Sequence, residues 1–296
     1  MKLKSLIIQN RDSMDYRNVS EQYETTDRNK KKLILGIETG RSGMRWLRGI
    51  FCAHDNITGA NDERNTIAGA FYRYIVWNKL PIDIRGIIEI TKKDIIKDWS
   101  RADTTLICSP YFSHGFLNIF NELKADNVIW AINDPRFTVT SFYNKGWYIE
   151  DNIRAEKNLC NGFQPAVDSW SHFFGRVVPK GDFYDEWISL TRIGKISWFL
   201  NTVNQEIYSY IKQIPGKKVW IFRLEDADQN YHYYLELAEK FNLLPLISKR
   251  KFLSLKGKTV RQSENVVKEW SEQEEKEFDR YTVEYRNIYR ELRNRD

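Results

Sequence analysis

The sequence has little cysteine and no long apolar run. Its 296 residues include only three cysteines, and the wide spacing of Cys52, Cys108 and Cys160 excludes a disulfide framework and a zinc cluster. No apolar stretch approaches the roughly 20 residues that a membrane-spanning helix needs. The apolar part of the start, residues 6–8, is too short for a secretory signal. We therefore expect a cytoplasmic protein with no membrane partner and no metal site.

Charge of one sign is not strongly in excess either. Lys and Arg number 46 against 40 Asp and Glu, which gives a net charge of +6, and the cations are spread along the chain. The sequence has no recognition helix, zinc-finger spacing or RNA-stacking motif, so we expect no nucleic-acid partner. Hydrophobic residues make up 42% of the chain, enough for the core of one large domain. We expect an N-terminal extension over residues 1–31 and one domain over residues 32–296.

Strand-like and helix-like patterns alternate along that domain. Short apolar runs predict strands at 33–38, 104–108, 127–132 and 217–223. Helical spacing predicts helices at 44–54, 66–79, 115–123, 136–144, 186–213 and 228–241, and one more after Ser271, which forms a capping-box pattern with Glu274. This alternation predicts an α/β fold with a central, mainly parallel sheet flanked by helices. In such sheets, ligands bind at the carboxyl ends of the strands.

The most informative segment is the loop after the first predicted strand. Residues 36–51 read GIETGRSGMRWLRGIF, in which Gly40 and Gly43 precede a helical pattern. Glycines allow the backbone to turn its N–H groups inward, and the unpaired amides at a helix start bind anions. Arg41 adds a planar charged group and Ser42 a hydroxyl. The loop lacks the Gly-Lys-Ser/Thr ending of an ATP-type P-loop, so we expect an adenylate cofactor that is used without magnesium.

The same loop resembles a known motif. Arg-Ser-Gly-Met-Arg-Trp-Leu at 41–47 is similar to the phosphosulfate-binding loop of sulfotransferases, Lys/Arg-Ser-Gly-Thr-Thr-Trp-Leu. Three later segments resemble motifs of that family in the expected order: Asn-Asp-Pro-Arg at 133–136 with Ser-Phe-Tyr at 141–143, Arg-Leu-Glu-Asp at 223–226, and residues 256–270. The last of these resembles the family's cofactor-covering loop and the tryptophan behind it. The resemblance implies the P-loop nucleotide-kinase-like fold of sulfotransferases.

The resemblance also implies a cofactor, 3′-phosphoadenosine 5′-phosphosulfate (PAPS), with adenosine 3′,5′-bisphosphate (PAP) as its product. The resemblance implies that Arg41, Ser42 and Gly43 hold its 5′-phosphosulfate, and Gly40, Met44 and Arg45 are further implied cofactor-binding residues. Met44 and Arg45 replace two threonines of the usual motif, but their backbone amides can still donate. Trp46 is expected to stack on the adenine.

The other end of the cofactor carries a 3′-phosphate, which the family holds with an arginine and a serine. Ser141 occupies the serine position, whereas Asn133 occupies the arginine position. An amide is neutral and donates fewer hydrogen bonds than a guanidinium. We expect a cation to compensate, and the candidates are Arg136, Lys256, Lys258 and Arg261.

Sulfuryl transfer needs a general base for the proton of the acceptor. In tyrosylprotein and bacterial sulfotransferases a catalytic glutamate follows the loop, and the corresponding position here lies near Glu63 or Asp62. His114 is the alternative, because cytosolic members place a catalytic histidine after the corresponding strand. Arg41 is expected to stabilise the leaving bisphosphate.

These features predict a sulfotransferase that acts on a hydroxyl or amine of a small-molecule acceptor. Two other hypotheses stay open at this point. One is a P-loop kinase or nucleotide hydrolase, which would share the anion-binding loop. The other is a non-catalytic nucleotide-binding protein on a sulfotransferase scaffold, which the departures at Met44, Arg45 and Asn133 favour.

Overall fold

The protein is built on one five-stranded sheet. The computed structural model describes residues 16–60, 66–149, 175–228, 230–256 and 269–294. Its strands are β1 (Lys32–Glu38), β2 (Ile57–Ala60), β3 (Thr104–Cys108), β4 (Asn127–Ala131) and β5 (Val219–Phe222). They pair in the order β2-β3-β1-β4-β5, and every pairing is parallel. The predicted α/β class and parallel sheet are therefore confirmed.

Helices cover both faces of this sheet. In chain order they are α1 (Tyr16–Thr25), α2 (Met44–Phe51), α3 (Thr66–Asn78), α4 (Arg85–Trp99), α5 (Phe116–Glu122), α6 (Pro135–Asn144), α7 (Phe183–Ser189), α8 (Arg192–Ile211), α9 (Leu224–Ala227), α10 (Tyr231–Phe241), α11 (Lys249–Lys256), α12 (Glu272–Tyr281) and α13 (Val283–Arg293). Short 3₁₀ turns occupy Pro110–Ser113 and Gly216–Lys218. None of the helices in the described ranges is both long and apolar enough to cross a bilayer.

Side-chain alternation along β1 explains how both faces become covered. Leu33, Leu35 and Ile37 belong to one buried cluster, which α4, α8 and α13 complete. Ile34 belongs to a second cluster, which contains side chains of α2, α10 and α11. Because successive strand residues point to opposite faces, one apolar strand supplies two cores.

The structure differs from the sequence prediction in β2, α4 and α11, which the sequence did not predict, and in two predicted segments. Part of the predicted N-terminal extension is the helix α1, whose Tyr23 is buried and donates from its hydroxyl to the Leu123 carbonyl at 2.5 Å. The predicted helix over 186–213 is two helices, because Thr191 caps α8 by accepting a hydrogen bond from the Gly194 amide. A residue that caps a helix has non-helical backbone angles, so it interrupts an otherwise continuous apolar pattern.

The parallel arrangement brings several loops to one edge. The carboxyl ends of β1, β3, β4 and β5 lie at the same edge of the sheet, since the strands share one direction. The glycine loop, the segment with His114, the segment with Asn133 and the segment beginning at Arg223 follow these four strands. The candidate site is at this edge.

Candidate anion-binding site

The glycine loop adopts a left-handed turn. Gly40, Arg41 and Gly43 have φ angles of 106°, 62° and 86°, a region that L-residues enter only at a cost. An added Cβ at Gly43 would lie 2.9 Å from Leu224 Cβ, and one at Gly40 would lie 3.0 Å from the ring of Phe142. Glycine is therefore required at both positions. A turn of this kind directs successive N–H groups towards a common point, where an anion can bind.

Helix α2 begins directly after this turn and has no side-chain cap. Its N-cap is Gly43, which makes no side-chain hydrogen bond, and the first turn contains no acidic residue. The exposed Arg45 lies in that turn. The first amides of a helix have no intrahelical acceptor, and the helix dipole favours negative charge there. The start of α2 is therefore suited to an anion from outside the helix.

Two further residues of the loop motif belong to the core. Met44 and Trp46 are both buried in the second apolar cluster. The Trp46 ring stacks on Phe222 at 5.8 Å and meets Phe252 edge-on at 5.8 Å. Its indole N–H has no hydrogen-bond acceptor among the described residues, which leaves a buried donor unsatisfied beside the loop.

Arg41 joins the glycine loop to helix α6. Its Nε donates to Ser141 Oγ at 2.9 Å, and within the described ranges its two terminal nitrogens take part in no ion pair. Desolvation lowers the pKa of Arg41, the nearby Glu38 carboxylate raises it, and the charge of Arg45 lowers it further. The structure therefore brings together Arg41 and Ser141, which lie in two separate predicted motifs.

Asn133 has its side chain turned into the protein. Only 2% of the residue is exposed. Its Oδ1 accepts from the Leu224 amide at 3.2 Å, and its Nδ2 lies 3.5 Å from the Arg41 carbonyl, which is long for a hydrogen bond. Its own carbonyl accepts from the Tyr285 hydroxyl at 2.8 Å. In this structure Asn133 therefore connects the loop, the end of β5 and α13.

Arg136 is also engaged within the protein. Its guanidinium contacts both carboxylate oxygens of Glu275, with one distance of 2.8 Å. The same guanidinium lies over the Trp270 ring, 4.1 Å from its centroid. The hydrogen bond to Glu275 raises the pKa of Arg136. This cation, which the sequence suggested as a substitute phosphate ligand, holds α6 against α12.

His114 forms a buried pair with a glutamate of α8. The residue is 1% exposed, and its Nδ1 contacts Glu206, which also accepts from the Gly115 amide at 2.9 Å. Burial lowers the pKa of His114, although the hydrogen bond and charge of Glu206 oppose this. Burial raises the pKa of Glu206, but the contacts with His114, the Gly115 amide and the Tyr210 hydroxyl together lower it overall. A neutral imidazole next to an ionised carboxylate donates from Nδ1, so the lone pair is at Nε2, which has no partner in the described part of the chain.

Several predicted residues have no structural outcome. Asp62, Glu63, Lys258 and Arg261 lie outside the described residues, and so does the side chain of Lys256. The assignment of the base to Glu63 or Asp62 stays a prediction.

The structure adds a carboxylate that the sequence did not indicate. Glu38, the last residue of β1, is 9% exposed, and its Oε2 accepts from the Ser42 amide at 3.1 Å. The Ser42 hydroxyl donates to the Gly40 carbonyl at 3.2 Å. The only sequence signal for Glu38 was its position immediately before the loop. Glu206 gave no signal, because it lies 92 residues after His114.

Comparisons with known proteins give a structural similarity but no match of sequence. No protein-family model and no curated protein sequence matches the chain. Among solved structures, the chain is similar to a sulfotransferase domain from the curacin biosynthetic pathway, with 14% identity and a TM-score of 0.41. The alignment covers 74% of this chain and 76% of that one. At this TM-score the similarity supports no conclusion about activity, so the function has to be inferred from the chain's own residues.

Proposed function

We propose that the protein is a sulfotransferase that uses PAPS and transfers its sulfuryl group to a hydroxyl or amine of a small-molecule acceptor. The observation that carries this proposal is the hydrogen bond of 2.9 Å between Arg41 and Ser141. These residues are 100 positions apart, and each belongs to a segment that resembles one half of the sulfotransferase cofactor site. Their contact at the carboxyl edge of a parallel sheet supports a single ligand site there.

The residues on either side of 257–268 give further support. Before this segment, Phe252 of α11 contacts Trp46 of α2. After it, Trp270 stacks against Arg136 of α6. The chain thus leaves from one predicted cofactor segment and returns to the other. A cofactor-covering role for the segment that carries Lys258 and Arg261 is consistent with these two anchoring contacts.

The donors available at the site fit an anionic adenylate. They are the terminal nitrogens of Arg41 and the uncapped amides at the start of α2. Both suit phosphate oxygens. We therefore assign the 5′-phosphosulfate to Arg41 and the start of α2.

The proposed reaction requires charge stabilisation and a proton acceptor. When bound, PAPS would supply an activated sulfuryl group and the leaving bisphosphate. Arg41 and the first amides of α2 would stabilise the negative charge that develops on the leaving phosphate, and their arrangement before binding lowers the reorganisation cost. Glu63, Asp62 or His114 would take the proton of the acceptor. Among these, His114 has one nitrogen held by Glu206, which fixes the lone pair on Nε2, and that atom is buried in this structure.

Two measurements test this function. Calorimetry should detect PAP binding to the wild-type protein at submillimolar concentration, without magnesium. Incubation with PAPS carrying labelled sulfur and a panel of phenols, alcohols and amines should transfer the label to an acceptor. Binding of magnesium-ATP in the absence of PAP binding would reject the proposal in favour of a kinase or hydrolase. Stoichiometric PAP binding without transfer to any acceptor would favour the non-catalytic scaffold.

A further inference from the structure

The glycine loop contains an anion of its own. The Glu38 carboxylate accepts from the Ser42 amide at 3.1 Å, within the loop that we assign to the phosphosulfate. It is also close enough to Arg41 to raise the pKa of that guanidinium. A buried carboxylate is stable only where donors and cations compensate for its lost hydration. Here two of the compensating groups, the Ser42 amide and the Arg41 guanidinium, belong to the anion-binding loop itself.

The Glu38 carboxylate affects any anion that approaches from solvent. The Ser42 amide is already occupied, and a second anion near it meets the negative charge of Glu38 at short range. Repulsion between two anions is strong where water is largely excluded. An incoming phosphate must therefore displace the carboxylate or bind beside it at a reduced affinity.

The carboxylate also supports the turn of the loop. Helix α2 lacks a side-chain cap, and the backbone of Gly40 and Arg41 is in a left-handed conformation. A hydrogen bond from the Ser42 amide to Glu38 stabilises this turn when no ligand is present. Glu38 thus stabilises the turn of the loop and opposes the binding of an anion to it.

We propose that Glu38 is an internal competitor that occupies the loop in the free protein and leaves the Ser42 amide when a phosphate or sulfate group binds. This inference rests on the proposed function for the location of the site, but it concerns a property that can be measured without catalysis. It predicts that the charge of Glu38 limits anion affinity. It also predicts opposite effects of removing that charge on affinity and on the stability of the free protein.

The variant Glu38→Gln tests this directly. Glutamine has nearly the same shape and keeps an oxygen that can accept from the Ser42 amide, so the substitution removes the charge and exchanges the other oxygen for an NH2 group. Glu89→Gln is the matched control, because Glu89 is also 9% exposed but contacts Ser20 and Lys92. The probe is inorganic pyrophosphate, titrated by calorimetry, and thermal unfolding without ligand is the second readout.

We expect Glu38→Gln to raise pyrophosphate affinity about tenfold, because the repulsion is removed, and to lower the melting temperature of the free protein. Glu89→Gln should leave affinity within about twofold of the wild type. Equal or weaker pyrophosphate binding by Glu38→Gln than by Glu89→Gln would overturn the proposal. Absence of pyrophosphate binding to wild type and Glu38→Gln alike would also overturn it.

A crystal structure of the wild-type protein with pyrophosphate provides a test that needs no variant. We expect an anion oxygen on the Ser42 amide and the Glu38 carboxylate displaced from it. A carboxylate that still accepts from Ser42 while the anion is bound would contradict the proposal. Failure of the proposed function gives a different result. If Glu38→Gln binds pyrophosphate more tightly than the wild type, but the wild type transfers no sulfuryl group from PAPS, this inference holds and the proposed function is wrong.

Discussion

The two halves of the predicted cofactor site are organised in different ways. At the glycine loop, some donors are left without internal partners: α2 has no side-chain cap, and Trp46 has an unsatisfied indole N–H among the described residues. In the segment that begins at Asn133, the polar groups are used within the protein. Asn133 accepts from the Leu224 amide, and Arg136 pairs with Glu275.

The difference indicates different roles for the two segments. A group that is satisfied internally must give up its partners before it can bind a ligand, and leaving a buried donor or acceptor unpaired is costly. We infer that the glycine loop receives the ligand, whereas Asn133 and Arg136 position the elements around it. Ser141 is the exception in the second segment, because its hydroxyl accepts from Arg41 and therefore contacts the glycine loop directly.

The largest expected effect comes from placing the family's arginine at position 133. Asn133→Arg introduces a charge at a buried site and removes the acceptor of the Leu224 amide, so we expect unfolding to become easier by about 3 kcal/mol. Asn121→Arg is the control, since Asn121 is exposed near the end of α5, and it should change stability by about 0.5 kcal/mol at most. Chemical denaturation measures both. Unchanged stability with a gain in PAP affinity would mean that position 133 faces the ligand.

The second effect concerns the loop's own cation. Arg41→Ala should weaken PAP binding by about 2 kcal/mol, or roughly thirtyfold, because one charge-assisted contact is lost. Calorimetry at constant ionic strength measures this loss. If the variant binds PAP as tightly as the wild type, Arg41 does not contact the ligand, and the ligand-binding role inferred for the glycine loop is wrong.

A third effect depends on the backbone of the loop. Gly43→Ala should cost about 1.5 kcal/mol of unfolding free energy, because the residue has a φ of 86° and its Cβ would lie 2.9 Å from Leu224 Cβ. Gly49→Ala, in the interior of the same helix, has no atom within 4 Å of the added Cβ and should stabilise the protein by about 0.5 kcal/mol. Thermal and chemical unfolding of the pair should therefore change in opposite directions. Stabilisation by both substitutions would show that the turn is not strained by a side chain.

The smallest effect is expected at Arg136. Its ion pair with Glu275 is partly exposed, with side-chain exposures of 51% and 39%, so Arg136→Ala should cost at most about 1 kcal/mol of stability. PAP affinity should stay within about twofold of the wild type, since Glu275 and Trp270 already engage this guanidinium. A loss of affinity as large as that of Arg41→Ala would restore Arg136 as a phosphate ligand.

The sequence predicted the fold better than the site because apolar periodicity depends on local spacing. Four of the five strands and most helices followed from it, and the capping box of Ser271 and Glu274 is present as predicted. Strand β2 was missed because Ile57–Ala60 is short and contains a glycine. The contact between Arg41 and Ser141 was consistent with the motifs.

The orientations of individual side chains were harder to predict from the sequence. The inward orientation of Asn133 depends on Leu224 and Tyr285, which lie far along the chain. The pairing of His114 with Glu206 likewise depends on how α8 packs. Trp46 was expected to stack on a base, and the structure shows it packed on Phe222. Such contacts follow from tertiary packing, which residue spacing does not specify.

One measurement tests the difference between the two halves most directly. Amide NMR spectra of the wild-type protein, recorded during titration with PAP, report the loop and the Asn133 side chain in the same sample. We predict the largest shifts at the backbone amides of residues 42–45 and an unchanged side-chain amide signal for Asn133. Shifts at the Asn133 side chain without shifts at the amides of the glycine loop would contradict the assignment of the loop as the ligand-binding segment.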